Sequence, residues 1–196
     1  CLSRGLGDVY KRQPLKRKDI AQIVLNLKRL GAEVIALDML MDFPNGYGED
    51  PILANALKDS GKTMVVSQLQ LESPIWHTFG ETKFKGINKP TKILNESTKH
   101  GYTNITLIGS EASGGLSRIR FYPQIHEQYN VWPFAVKALA LYKNVEPKLV
   151  KNNLILGDLK MPLDEINDLW IDFPRLPGGV NFLKETPAVI SALEIL

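Results

Sequence analysis

The run VIALDML, residues 34–40, limits the fold more than any other stretch of this chain. Five of the six residues from Val34 to Met39 are apolar, a continuous run rather than an alternation. That pattern predicts a strand in a sheet covered on both faces. Directly before it, Ile20, Ile23, Val24, Leu27 and Leu30 recur at helical spacing over residues 18–30, with Lys and Asn opposite. Gly31 is placed to end that helix. Directly after the strand, DFPNGYGED is dense in turn residues. Pro51 then opens a second helix, ILANALKDS, at the first helical position, with Asp50 as its cap. Gly61 closes it, and residues 63–69 form a Val-rich strand. Helix, strand, helix, strand in this order predicts a βαβ unit with a parallel strand pair.

The rest of the chain extends this α/β reading. Residues 72–92, with Pro, Gly and scattered aromatics (Trp76, Phe79, Phe84), read as a long loop, and residues 92–99 as a short helix. Strands are expected at residues 102–108 and 117–125, joined by SEASGG and paired as a hairpin. Residues 132–142 form an amphipathic helix with Trp132, Ala135, Val136, Leu139 and Ala140 on one face. After Pro147 the pattern turns to strands in NLILG, KMPL and LWIDFP, and TPAVISALEIL closes as a short helix. The expected architecture is a single three-layer α/β domain, a central mixed sheet flanked by helices.

The first thirteen residues, CLSRGLGDVYKRQ, show neither helical nor strand period and no signal-peptide apolar region. They read as a non-native leader from sequencing-adapter read-through, leaving residues 14–196 as the domain. The full chain carries 24 Lys and Arg against 21 Asp and Glu. Without the leader, three basic residues and one acidic residue go, and the net charge falls from +3 to +1. A nearly neutral domain makes no electrostatic case for nucleic acid. Cys1 lies in the leader, so the remainder supplies no disulfide, thiolate ligand or Cys nucleophile. No apolar run reaches the ~18–20 residues that cross a bilayer.

Asp38, at the carboxyl end of a strand where α/β proteins build their sites, is the first chemical candidate, with Asp42 beside it. Phosphatases of the haloacid dehalogenase kind need a second Asp two positions on, to hold metal and act as general acid. Leu40 stands there. The structural reading of Asp38 is that it bonds backbone donors of the following loop or pairs with an Arg, as buried carboxylates must. Arg118 is the candidate partner. His77, His100 and His126 share no metal-ligand spacing and read as surface or satisfied histidines. SEASGG lacks the Lys-Ser/Thr of a phosphate loop, and no Gly-x-Ser-x-Gly elbow surrounds Ser67, Ser110, Ser113 or Ser117. Lys16, Arg17 and Lys18 form a basic flank to the first helix, solvated or membrane-proximal. Asn95 and Asn104 head glycosylation sequons. Trp132-Pro133-Phe134 reads as core at the start of a helix rather than as an aromatic platform.

Four stretches in order resemble the CHASE domain of type two, a sensory family of bacterial transmembrane receptors. RKDIAQIVLNLKRLGAEVIALDMLMDFPNGYGEDPILANAL resembles the family's helix, Gly-Ala-x-Val-Ile-x-x-Asp strand, loop and following helix, with Asp38 on the strand's Asp and Asp50 on the acid before the helix. GGLSRIRFYP is similar to its Asp-Gly-x-x-Arg-x-x-Pro strand; Gly115 and Arg118 match, while Gly114 and Phe121 replace the Asp and the Pro. VWPFAVKALALY resembles its Tyr-Pro-Ser-Leu-Ala helix, with Phe134 for Ser. MPLDEINDLWIDFPRLPGG with TPAVISALEIL resembles the closing segment.

The resemblance implies an extracytoplasmic sensory domain of a membrane-anchored receptor, lacking here the family's first strand. Its implied partners are the parent's transmembrane helices, a cytoplasmic cyclase or kinase output domain, and an unidentified small-molecule or envelope cue. Homodimer pairing is left open. No catalytic, cofactor or metal role is assigned; Asp38, Asp50, Arg118 and Trp132 stand as structural or ligand-sensing positions. Two other readings remain: a small cytosolic Mg²⁺-dependent enzyme using Asp38 and Asp42, and a structural periplasmic module that spaces or dimerises a receptor without binding anything.

Overall fold

The computed structural model describes residues 15–71, 84–104, 118–165 and 167–170. The first helix, α1 (Arg17–Arg29), begins where the Asp19 carboxylate accepts the Lys16 N–H at 3.2 Å, and it buries Ile20, Ala21, Ile23 and Val24. Strand β1 (Ile35–Leu40) follows, then α2 (Asp50–Ser60), with Pro51 in its first turn and Gly61, at φ +83°, ending it. Strand β2 (Thr63–Leu71) pairs parallel with β1, so the expected βαβ unit is present. The side chains of α1 and α2 that face the sheet, Val24, Leu53 and Leu57 among them, form one core with Ile35 and Val65. Burial of each such side chain contributes about 1.5–3 kcal/mol before chain entropy is set against it.

The remaining described elements are β3 (Phe84–Asn88), α3 (Lys92–Ser97), β4 (Lys99–Tyr102), β5 (Arg118–Arg120), α4 (Pro123–Tyr129), α5 (Phe134–Lys143), β6 (Lys148–Leu149), β7 (Asn153–Leu156), β8 (Leu159–Pro162) and β9 (Asp168–Trp170). The main sheet is mixed. β2 carries β1 and β4 as parallel partners along its first half and β3 as an antiparallel partner along its second. Alternation along β2 turns Val65 toward α1 and α2, and turns Val66 the other way. Gly101 lies opposite Val66 in the β4 register and abuts the Phe134 backbone at the start of α5. Helices therefore pack on both faces, and the domain is a three-layer α/β arrangement. A second core, Trp132, Val136, Ala140, Leu154 and Leu156 among others, joins α5 to the β6–β7–β8 meander. Tyr102, Tyr122, Ile125 and Val131 form a third with Leu69.

Several expectations are corrected. The strand covered on both faces is β2, whose Thr63 to Ser67 are all buried, and not β1. Only Ile35 of β1 is buried, because among the described residues β1 has a strand on one side only. Residues 84–88, expected in a loop, form β3. Most of the expected hairpin, residues 105–117, lies outside the described residues; of its flanks, β4 lies parallel on β2 and β5 pairs antiparallel with β9. Pro123, which cannot donate to a strand ladder, instead opens α4 at residues expected to be strand. The Trp132 helix begins two residues later, at Phe134, and turns Val136 and Ala140 inward while Leu139 stays partly exposed. The loop segment around Trp76, the SEASGG connection, the leader and the closing TPAVISALEIL helix lie outside the described residues.

Candidate functional site

The helices of a βαβ unit run back over their strands, so the amino ends of α1 and α2 meet at the carboxyl end of the parallel sheet. The β1–α2 loop, residues 41–49, lies at this edge. Asp50, first residue of α2, is buried there. Its Oδ1 accepts the Arg17 Nε–H from α1 at 3.2 Å, and both side chains are about nine-tenths buried. Its Oδ2 accepts the Asn45 backbone N–H at 3.2 Å. One carboxylate thus holds a second helix and a loop while completing its own helix start, where negative charge is favoured. Around it, the Asn45 side chain accepts the Tyr47 N–H at 2.6 Å, an Asx-type turn, and Gly48 sits at φ +67°. Glu49 Oε2 accepts the Lys18 N–H at 3.5 Å, and the Lys16 ammonium stands 5.5 Å above the Tyr47 ring. The tip of the loop is open: Phe43 is 66% and Tyr47 76% exposed.

Asp38 occupies a different setting. It is exposed, and it falls between the paired residues Leu37 and Leu40, where the β1 register against β2 shifts. Such a bulge aims a side chain out of the ladder. The loop-holding role expected of Asp38 belongs to Asp50. The side chain of Arg118, proposed partner of Asp38, lies outside the described residues. Asp42 is half-buried on the loop, and among the described residues no three His, Cys, Asp or Glu side chains gather as a metal site. Among the described residues the donor set for an Asp38–Asp42 metal site therefore does not fit: they offer a divalent cation there two carboxylates at most.

Trp132 is 2% exposed, just before α5, and is core as expected. Its carbonyl accepts the Tyr102 N–H at 3.0 Å, tying β4 to α5. The His126 ring lies 3.8 Å from the Trp132 ring, centroid to centroid, and desolvation lowers the His126 pKa, with Glu127 opposing. His100, half-buried on β4, is pushed down to about 4 by desolvation and then by the Lys89 charge. The Asn104 sequon offers no free amide. Asn104 Oδ1 accepts the Leu69 N–H at 2.6 Å and its Nδ2 donates to the Leu69 carbonyl at 2.9 Å, and Asn95 Oδ1 is buried.

Sequence reasoning missed Arg17 and Asn104. In the sequence Arg17 reads with Lys16 and Lys18 as a basic flank, solvated or membrane-proximal, and nothing local couples it to a carboxylate 33 positions on. Asn104 reads in the sequence only as the head of a sequon.

The fold and this edge define a sheet-centred α/β module in which the buried charges serve structure. The family model described as the CHASE2 domain matches residues 4–196, and the chain belongs to that family, a family of extracytoplasmic sensory domains. No curated protein and no solved structure matches it. Among the described residues no helix is long and apolar enough to cross a membrane.

Proposed function

We propose that this chain is the extracytoplasmic sensory input domain of a membrane-anchored bacterial signalling receptor. In this reading it performs no catalysis, and the cyclase, histidine kinase or Ser/Thr kinase output belongs to other parts of the parent. The observation that carries the reading is the CHASE2 match over residues 4–196. The chemistry at the sheet edge agrees with it: Asp50 is committed to Arg17 and Asn45, and Asp38 stands exposed without a companion set. A sensor acts by binding its cue, a small molecule or envelope component, more tightly in one of two conformations. The open β1–α2 loop, with Phe43 and Tyr47 presented on an anchored base, is the element suited to meet it.

The gene on either side of this segment is the first test. Flanking transmembrane helices with a cyclase or kinase are expected; a stop codon shortly after Leu196 with no hydrophobic segment on either side would overturn the reading. A thermal-shift screen then looks for the cue. Mg²⁺ should leave the melting temperature of the wild type and of Asp38→Asn alike. A Mg²⁺-dependent rise lost in Asp38→Asn would instead favour the enzyme.

A further inference from the structure

Three consecutive residues at the start of α1 meet the β1–α2 loop, each by a different contact. Lys16 places its ammonium 5.5 Å above the Tyr47 ring, Arg17 pairs with Asp50, and Lys18 donates its backbone N–H to Glu49. The middle contact is buried, whereas Lys16 and Tyr47 are both exposed. An ammonium over an aromatic face is held by the ring's own charge distribution, and at an exposed site the attraction is weak enough to be exchanged. The placing of Tyr47 does not depend on that cation. Its backbone N–H is bonded to the Asn45 side chain at 2.6 Å, and the Asn45 N–H to Asp50 at 3.2 Å. The charge around the ring favours the same sign of ligand. From Leu30 to Leu57 the chain carries Glu33, Asp38, Asp42, Glu49 and Asp50 and no Lys, Arg or His. Arg17 neutralises Asp50, and the other four keep the segment negative.

We infer that the cue received by this loop is an organic ammonium ion, which takes the Tyr47 face in place of Lys16. The inference rests on the sensory reading above and names the chemical class of its cue. Lys16 is the resident cation, and the two conformations that a sensor needs are Lys16 on the ring and Lys16 off it. Because Lys16 directly precedes α1, the exchange alters the entry to that helix while the Arg17–Asp50 pair keeps the base of the loop in place. Phe43, open to solvent on the same loop, offers apolar surface to the alkyl groups that distinguish such an ion from a metal. A divalent cation is disfavoured, since among the described residues no three His, Cys, Asp or Glu side chains gather. An anion is repelled by the acids of the segment.

The test is ligand-observed NMR, reading saturation transfer from the chain to choline, with dimethylbutanol as its uncharged carbon isostere. At constant ionic strength the isostere should bind at least ~3-fold more weakly than choline. Y47L should weaken choline at least ~10-fold, while Y47F, which keeps the ring, should stay within ~2-fold of wild type. K16Q should tighten choline about 2–5-fold by clearing the ring. K18Q removes an equal charge from an exposed side chain whose contact with the loop is through its backbone, and should stay within ~1.5-fold. Circular dichroism checks that the variants are folded. Equal binding of choline and its isostere, no choline binding, wild-type affinity in Y47L, or a K16Q effect no larger than that of K18Q would overturn the inference. Co-sedimentation with phosphatidylcholine vesicles separates the sources of the cation. Pelleting that is lost in Y47L marks a lipid headgroup and its absence a free ion, and either supports the site. None of the failures touches the sensory reading, which the flanking gene decides.

Discussion

The Arg17 guanidinium and the Asp50 carboxylate meet at 3.2 Å across 33 residues of sequence, both buried, and the other Asp50 oxygen is taken by the Asn45 N–H. Two charges removed from water are tolerable together and costly apart, because either one alone keeps the desolvation penalty without its partner. Asp50→Leu or Arg17→Met should therefore each destabilise by roughly 3 kcal/mol, whereas the double variant carrying both should recover most of that loss. Denaturant unfolding of the three variants reads the coupling. Additive losses would show that the pair contributes no specific interaction.

His100 gives the fold a pH dependence. Its pKa is lowered from 6.5 to about 4. Above pH 6.5 the imidazole is neutral folded or unfolded and contributes nothing to the pH dependence. Between 6.5 and 4 the unfolded chain takes up a proton that the folded chain refuses, so stability falls with pH; below 4 it levels off. The full linkage for such a shift is ~3 kcal/mol, and solvent access to the half-buried ring reduces it to about 1–2 kcal/mol. His100→Gln should flatten the stability profile between pH 6.5 and 4. A variant with an unchanged slope in that window would assign the dependence elsewhere.

The local signals in the sequence located the βαβ unit well, since helix period, Gly31, Pro51 and Gly61 all act within a few residues of themselves. They misassigned which strand is buried. An apolar run shows that side chains prefer to leave water, but the number of neighbouring strands is a property of topology, and among the described residues β1 has fewer than β2. Long-range pairing was hidden for the same reason: residues 99–102 and 118–120 pair with β2 and β9, partners about 35 and 50 positions distant, which turn chemistry cannot encode. At the candidate site, Asp50 was legible as a helix-start acid, whereas its tie to Arg17 required the packing of α1 on α2.

Gly101 is a packing requirement rather than a turn. A Cβ there would lie 2.8 Å from the Phe134 Cα and 3.0 Å from the Trp132 carbonyl oxygen, both backbone atoms that cannot swing aside. Gly101→Ala should push β4 away from α5 and cost about 1–3 kcal/mol, the usual range for overpacking. A thermal midpoint within a degree of wild type would mean that α5 is free to move.

Asn104 completes the sheet where β4 ends. Its amide gives and takes the two hydrogen bonds that a backbone partner of Leu69 would supply. Asn104→Asp keeps the acceptor and shape but loses the donor to the Leu69 carbonyl, and should cost about 1–3 kcal/mol. Asn104→Gln, with the same groups one carbon farther out, should not restore it. Chemical unfolding of both variants decides.

Asp38 has a role that follows from its exposure. β1 has a strand on one side only among the described residues, and beside Asp38 it presents Met39 and Leu40, 38% and 39% exposed. An apolar strand edge of this kind templates pairing with another chain, and a charge together with a bulge is how such an edge is kept from doing so. Asp38→Asn should leave folding stability within about 0.5 kcal/mol, as expected of an exposed side chain. Asp38→Val should also fold, but its edge then reads apolar from residue 36 to residue 40. Light scattering across a concentration series should show self-association in Asp38→Val and not in wild type or Asp38→Asn. A monomeric Asp38→Val would leave the bulge alone as the guard of this edge, and a large stability loss in Asp38→Asn would return Asp38 to the structural part that Asp50 holds here.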